Sequence, residues 1–214
     1  MDIRTANQKT HALIELEDHY GAHNYHPLPV VLSHGQGVFL FGVAGERYYD
    51  FLSAYSAVNQ GHCHPRIIDA LVSQAKVLTL TSRAFYNDRL GPYEAYITSY
   101  FGYQKVLPMN TGVEAVETAI KLCRKWAYAV KGIEENKARI IFVSGNFHGR
   151  TLGVISASVD SSSTGGFGPY LPGYDIIPYN DPDALEAALQ QSDVAGFLVE
   201  PIQGEAGVDR KSVV

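Results

Sequence analysis

A chain of 214 residues, 46% of them hydrophobic, is long enough for one large domain or two small ones around a real core. Its 17 basic residues stand against 22 acidic ones without long like-charge blocks, which argues against the basic face a nucleic-acid binder lays on phosphates. Cys63 and Cys123 are too few for a disulfide framework, the stretch Met1 to Lys9 lacks the apolar core of a signal peptide, and no window approaches a membrane-spanning run; the expectation is a cytoplasmic protein with no membrane and no nucleic-acid partner.

In chain order, Thr10 to Tyr20 alternates Ala12, Leu13, Ile14 and Leu16 with Glu15, Glu17 and Asp18, which predicts a short amphipathic helix. Residues 21–29 are aromatic, polar and broken by Pro27 and Pro29, so they read as loop. Three strand-like runs follow, Val30 to Ser33, Val38 to Phe41 and Arg47 to Phe51, with Gly-containing separators that predict an antiparallel meander. A helix is expected from Arg66 to about Val77 and another from Tyr93 to Phe101. Lys105 to Leu107 reads as a short strand, Glu114 to Val130 as a long helix, and Arg139 to Val143 as a buried strand. Asp181 to Gln190, with Pro182 in its first turn, is a further helix, and Ala195 to Val199 a further buried strand. Ser161 to Gly168 reads as a flexible Ser/Gly loop. Apolar strands alternating with helices imply a mostly parallel sheet covered on both faces, with function at the C-terminal strand ends.

Three motif loops stand at such ends. Asn110-Thr111-Gly112-Val113 opens a helix, where unpaired backbone N–H groups and a glycine make an anion site; an ordinary helix cap is the plainer alternative. Phe147, His148 and Arg150 share one loop, offering an aromatic face for a planar ring and a guanidinium for a carboxylate, against the alternative of a buried Phe, a satisfied His and a surface Arg. Glu200 and Glu205 follow the last strand; a carboxylate pair for glycoside hydrolysis and simple solvated charges both fit that spacing. Gly61-His62-Cys63-His64-Pro65 carries metal-ligand types but lacks a second cluster at zinc spacing, so it reads as a structural turn and no metal site is expected.

Taken together, Gly61-His62, His64-Pro65, Asn110-Thr111-Gly112, Phe147 to Thr151 and Glu200 to Glu205 stand in the order found in class III aminotransferases, and the chain resembles that family from about Tyr20 to Val208. The resemblance implies an α/β fold, the pyridoxal-phosphate-dependent transferase fold type I: a mostly parallel sheet flanked by helices, preceded by a small antiparallel N-terminal segment. It implies a division into an N-terminal segment, 1–55, and an incomplete cofactor-binding large domain, 56–208. The stretches 20–29, 53–60 and 79–87 place the likeness in the branch that moves the δ-amino group of L-ornithine to 2-oxoglutarate, linking arginine and ornithine breakdown to proline or glutamate. Alternatives are a branch acting on acetylornithine or another ω-amino acid, and a non-catalytic protein that only binds phosphate or cofactor.

On these residues the resemblance implies that Thr111, Gly112 and Val113 hold the phosphate of pyridoxal 5'-phosphate, that Phe147 stacks on its ring and that His148 lies beside it. Arg150 and Tyr25 would take the carboxylate end of the substrate and Tyr55 would select ornithine. Glu205 would pair with a gating arginine, and Glu200 would stand behind the cofactor contacts. Val113 lacks the hydroxyl that much of the class carries there, so only its main chain can serve. The family's Schiff-base lysine, its pyridine-nitrogen aspartate, a glutamine and the gating arginine have no counterpart in these 214 residues. No catalytic residue is therefore expected here, and the family's homodimer is expected of a longer form. Residues 209–214 can be encoded by the start of a common sequencing adapter, and they are expected to be translated adapter; the underlying nucleotides test that. The strands ending at Val143 and Val199 are expected to lack sheet neighbours.

Overall fold

The computed structural model describes residues 3–207 and 209–210. The chain packs as two compact units, Met1–Pro92 and Tyr93–Val214, each taken here by itself. Residues 56–92, expected with the cofactor domain, fall in the first unit.

The first unit begins with α1 (Ile3–Tyr20), a longer helix than the apolar spacing predicts. Then β1 (Leu32–Gln36), β2 (Phe39–Gly42) and β3 (Arg47–Tyr49) form the expected antiparallel meander in the order β1-β2-β3. Cross-strand aromatic contacts hold its register: Phe39 lies opposite Tyr49 with ring centroids 4.8 Å apart, and the Arg47 guanidinium sits 4.7 Å over the Phe39 ring. Pro65 pre-sets the first turn of α2 (Pro65–Ala75), and α3 (Leu90–Phe101) carries the chain into the second unit.

The second unit is built on α4 (Gly112–Trp126), which runs into a π-helical turn at Ala127–Lys131 and stops at Gly132 in the left-handed conformation. Next come β4 (Arg139–Val143), the short helices α5 (Leu152–Ile155) and α6 (Ser161–Thr164), β5 (Tyr174–Ile177), α7 (Pro182–Leu189) and β6 (Val194–Phe197). β4 lies between β5 and β6 and runs parallel to both. The expectation that it lacks neighbours is thus wrong: β4 is the central strand, and the sheet edges among the described residues are β5 and β6. That position explains its composition. An uninterrupted Ile140-Ile141-Phe142-Val143 run suits a strand covered on both faces, and all four side chains are buried. Ile140 and Phe142 pack with Ile120 of α4, Val154 of α5 and Ala157. Gly196 lets α4 approach β6, because a Cβ there would stand 2.7 Å from the Cys123 Sγ.

Two other expectations change. Lys105 to Leu107 forms no strand, and Pro108 directly after it removes a donor that pairing would use. The Ser/Gly loop starts with a helical turn, because the Asp160 carboxylate accepts the Ser162 N–H and the hydroxyls of Ser162 and Ser163. Of the expected tail, Asp209–Arg210 forms a two-residue strand, β8, paired with β7 (Ile202–Gln203); Val208 and Lys211 to Val214 lie outside the described residues.

Candidate functional site

The three motif loops of the second unit meet at the C-terminal end of its sheet. The first is the start of α4. Thr111 is the N-cap; its hydroxyl accepts the Glu114 N–H at 3.2 Å, and the Glu114 carboxylate accepts the Thr111 N–H at 3.0 Å, a complete capping box. The first bond of the helix proper runs from the Ala115 N–H to the Thr111 carbonyl at 3.1 Å. Those bonds satisfy the donors at Thr111, Glu114 and Ala115. Left over are the N–H groups of Gly112 and Val113, which have no partner among the described residues, and no atom lies within 4 Å of where a Gly112 Cβ would stand. Two adjacent donors at the positive end of a 15-residue helix, at an exposed glycine with room on its Cβ side, suit an anion. Thr111, expected among the phosphate-holding residues, has its hydroxyl and N–H in the capping box.

The second loop, Ser144 to Thr151, leaves β4 and returns against that helix end. Gly149 has φ +125°, and a Cβ on it would stand 2.5 Å from Val113 Cγ2. The Thr151 hydroxyl donates to the Glu117 carboxylate of α4. Asn146 is buried, and its amide donates to the carbonyls of Val143 at 2.6 Å and Ala157 at 2.8 Å, tying the loop to its own strand. Between these ties stand Phe147 and His148. Phe147 is 40% exposed, leaving part of the residue open to solvent. His148 is half-buried beside Phe142, ring centroids 5.8 Å apart, and its Nε2 is buried without a hydrogen-bond partner among the described residues. Burial pushes its imidazole below the usual histidine range, while the nearby Glu200 carboxylate pulls the other way.

The third loop follows β6. Glu200 accepts the Phe147 backbone N–H at 2.9 Å. Gln203 is almost fully buried and its amide donates to the Ser144 carbonyl at 2.8 Å, so the third loop is pinned to the second. Tyr179, just past β5, adds its N–H to Ser144 Oγ at 3.3 Å and its hydroxyl to the Glu200 and Pro201 carbonyls at 3.4 and 3.3 Å. Gln203, Tyr179 and Asn146 support the site and were not singled out by sequence. The sequence signal that could have found them is a polar side chain shortly after the end of an apolar strand.

The second unit therefore brings together Gly112, Val113, Phe147, His148 and Glu200. Arg150 and Glu205 are exposed on the same two loops. Tyr25 and Tyr55 belong to the first unit. Tyr25 lines a cleft of about 830 Å³ with Ile14, Glu17, His23 and Leu28, and Tyr55 is 70% exposed in a turn. The Gly61–Pro65 segment is a turn leading into α2, with His62 bonded to Asp50 at 2.6 Å.

The family model for aminotransferase class-III matches residues 20–213. The chain belongs to this family. Among relatives, it is 64% identical over 196 residues to the mitochondrial ornithine aminotransferase of Rattus norvegicus, covering 92% of this chain and 45% of that protein. Its fold superposes with a TM-score of 0.93 on the ornithine aminotransferase of Toxoplasma gondii, at 47% identity and covering 95% of this chain and 48% of that one; that structure holds pyridoxal phosphate at partial occupancy in its active site. It is also similar, at 56% identity and a TM-score of 0.81, to the acetylornithine aminotransferase of Elizabethkingia anophelis, covering 95% of this chain and 47% of that one. This class-III aminotransferase chain thus spans about half the length of the relatives it matches. Its fold is the expected fold type I, with the small antiparallel sheet ahead of the parallel one.

Proposed function

We propose that the full-length protein is an ornithine aminotransferase, moving the δ-amino group of L-ornithine to 2-oxoglutarate with pyridoxal 5'-phosphate as cofactor and yielding glutamate 5-semialdehyde and glutamate. The observation that carries the reading is the pair of N–H groups at Gly112 and Val113, without partners among the described residues, at a helix start against which the loop carrying Phe147 and His148 is seated. An anionic group at one end, a flat ring in the middle and an acceptor near the imidazole are the three features such a site fits, and the cofactor has all three.

When bound, pyridoxal phosphate supplies an aldehyde that takes up an amine and a ring that draws electrons from it. The chain's own residues hold and orient. Gly112 and Val113 donate to the phosphate with the help of the α4 dipole. Phe147 covers one face of the ring and keeps water from it. Burial disfavours the charged form of His148, whose Nε2 is buried without a partner among the described residues beside Phe147. Glu200 fixes the Phe147 backbone and so the angle of that ring. Arg150 is suited to pair a substrate carboxylate in bidentate fashion. Tyr25 and Tyr55 are assigned to the donor's recognition, and Glu205 to a gating arginine in the longer form. A homodimer, a cytoplasmic location and a place in ornithine and arginine breakdown towards proline or glutamate belong to the same proposal.

The test is the full-length protein loaded with cofactor and given L-ornithine with 2-oxoglutarate. Formation of glutamate and of the cyclised semialdehyde is expected; no glutamate from ornithine refutes the reading. Likeness to the Elizabethkingia protein favours a second reading, acetylornithine as donor, and a higher kcat/KM for the acetylated amine would select it. A protein that only binds the cofactor would show no covalent mass gain after borohydride reduction. Fractionation and light scattering check the compartment and the dimer.

A further inference from the structure

In the first unit one carboxylate organises a turn. Asp50 stands just past β3, with its own N–H bonded to the Val38 carbonyl at 2.9 Å. Its Oδ1 accepts the N–H groups of Leu52 at 3.0 Å and Ser53 at 2.8 Å, and its Oδ2 meets His62 Nε2 at 2.6 Å. The carboxylate is only 8% exposed. His62 is itself fixed to the meander: its N–H donates to the Gly37 carbonyl at 2.7 Å and its carbonyl accepts the Gly37 N–H at 3.0 Å. Gly35 makes room for the imidazole, since a Cβ there would lie 2.7 Å from His62 Cγ. A carboxylate bonded on both oxygens, with its partner clamped to a sheet, is a rigid post.

What it holds is a run of four residues in the left-handed region. Ser53, Ala54, Tyr55 and Ser56 have φ of +50°, +49°, +56° and +70°, and none is glycine. L-residues visit this region singly and rarely in runs, and such a run persists only where its surroundings over-determine it. Burial does not do so here: Phe51, Leu52 and Tyr55 all have exposed side chains. Within the turn, the N–H groups of Ser56, Ala57 and Val58 bond the carbonyls of Leu52 at 3.3 Å, Ala54 at 3.2 Å and Ser53 at 3.1 Å, all at or beyond the far side of the usual range. The bonds that tie the turn to a fixed point outside it are those to Asp50.

We propose that Asp50 and His62 are positioning residues: they hold the left-handed turn Ser53–Ser56 in place and thereby set where Tyr55 stands against the amine donor. The role rests on the reading of Tyr55 as a donor-selecting residue. Neither Asp50 nor His62 touches the donor; each acts through the turn. Asp50 fixes the entry of the turn, and His62 fixes Asp50.

The test uses the full-length enzyme and the ratio of kcat/KM for ornithine to that for acetylornithine, which cancels any loss of folded protein. Asp50→Ala and His62→Ala are expected to lower this ratio at least tenfold, mainly through KM for ornithine. His62→Gln, which restores a donor near the Nε2 position, is expected to bring it back to within about threefold. Asp50→Ala combined with Tyr55→Ala should give the ratio of Tyr55→Ala alone, because the two changes act at one point. Amide hydrogen exchange gives an independent readout: residues 51–60 should exchange at least tenfold faster in Asp50→Ala, with β1 and β2 unaltered. An unchanged ratio, effects that multiply in the double variant, or unaltered exchange at 51–60 would each overturn the proposal. A wild-type enzyme inactive towards both donors overturns the transaminase reading and with it the role given to Tyr55; accelerated exchange in that case separates this outcome from a failure of the anchor.

Discussion

Replacing Gly149 by alanine tests how the second loop is seated on α4. An added Cβ would stand 2.5 Å from Val113 Cγ2 and 2.6 Å from Val113 Cβ, where two carbons rest comfortably at about 3.5–4.0 Å. The overlap is therefore about 1 Å on two atoms, one of them next to the backbone. Gly149 also has φ +125°, outside the regions open to alanine, at about 1–3 kcal/mol. Overpacking of this kind adds roughly 1–3 kcal/mol. Together they predict a loss of about 2–6 kcal/mol in the urea unfolding free energy of the full-length protein, along with weaker cofactor retention as the loop lifts from Gly112 and Val113. The second-site response is more telling than the size. Val113→Ala removes Cγ2 but leaves Cβ in the way, so it should not rescue Gly149→Ala. Gly112→Ala is the matched control: open space surrounds its Cβ position, so it should change stability by no more than about 1 kcal/mol. A Gly149→Ala variant within about 0.5 kcal/mol of wild type, or full rescue by Val113→Ala, would refute the seating described.

Two further outcomes follow from polar groups. Asn146→Ala strands the Val143 and Ala157 carbonyls that its amide serves, and should lower unfolding free energy by roughly 2–4 kcal/mol in the same melts; a loss below about 1 kcal/mol would mean that water replaces the amide. The Asp160 carboxyl is held down to about 2 by the Ser162 and Ser163 hydroxyls and the Ser162 N–H, so its stabilisation is complete above the ordinary value of 3.8 and is lost as pH falls from there towards 2. An NMR titration should find a midpoint near 2 that Ser162→Ala moves upward; a wild-type midpoint at 3.8 would contradict the capping of α6.

Sequence reached furthest where one residue pattern had one physical meaning. β4 was legible because the unbroken apolar run Ile140-Ile141-Phe142-Val143 suits a strand covered on both faces. β5 was not, since Asp175 interrupts its apolar residues and the run between Gly173 and Pro178 is only four residues long. Lys105 to Leu107 failed for the opposite reason: local propensity without a neighbour does not make a strand. At the site, the order of motifs singled out Gly112, Val113, Phe147 and His148, and the structure seats the loop of the last two on the helix start of the first two. The couplings were hidden. That Glu200 serves the Phe147 N–H 53 positions earlier, and that Gln203 is buried on the Ser144 carbonyl 59 positions earlier, depends on which strands lie side by side. Composition of a single loop carries no record of such pairings.

The capping box at the start of α4 has one more consequence, for the binding of an anion. Because Thr111 and Glu114 satisfy each other's backbone donors, this helix end is finished by its own side chains and does not wait for an anion to complete it. A phosphate arriving there meets two donors already aimed and bears little of the ordering cost that a disordered loop would impose. If Gly112 and Val113 hold the cofactor's phosphate as proposed, loading it does not require this helix end to be built anew.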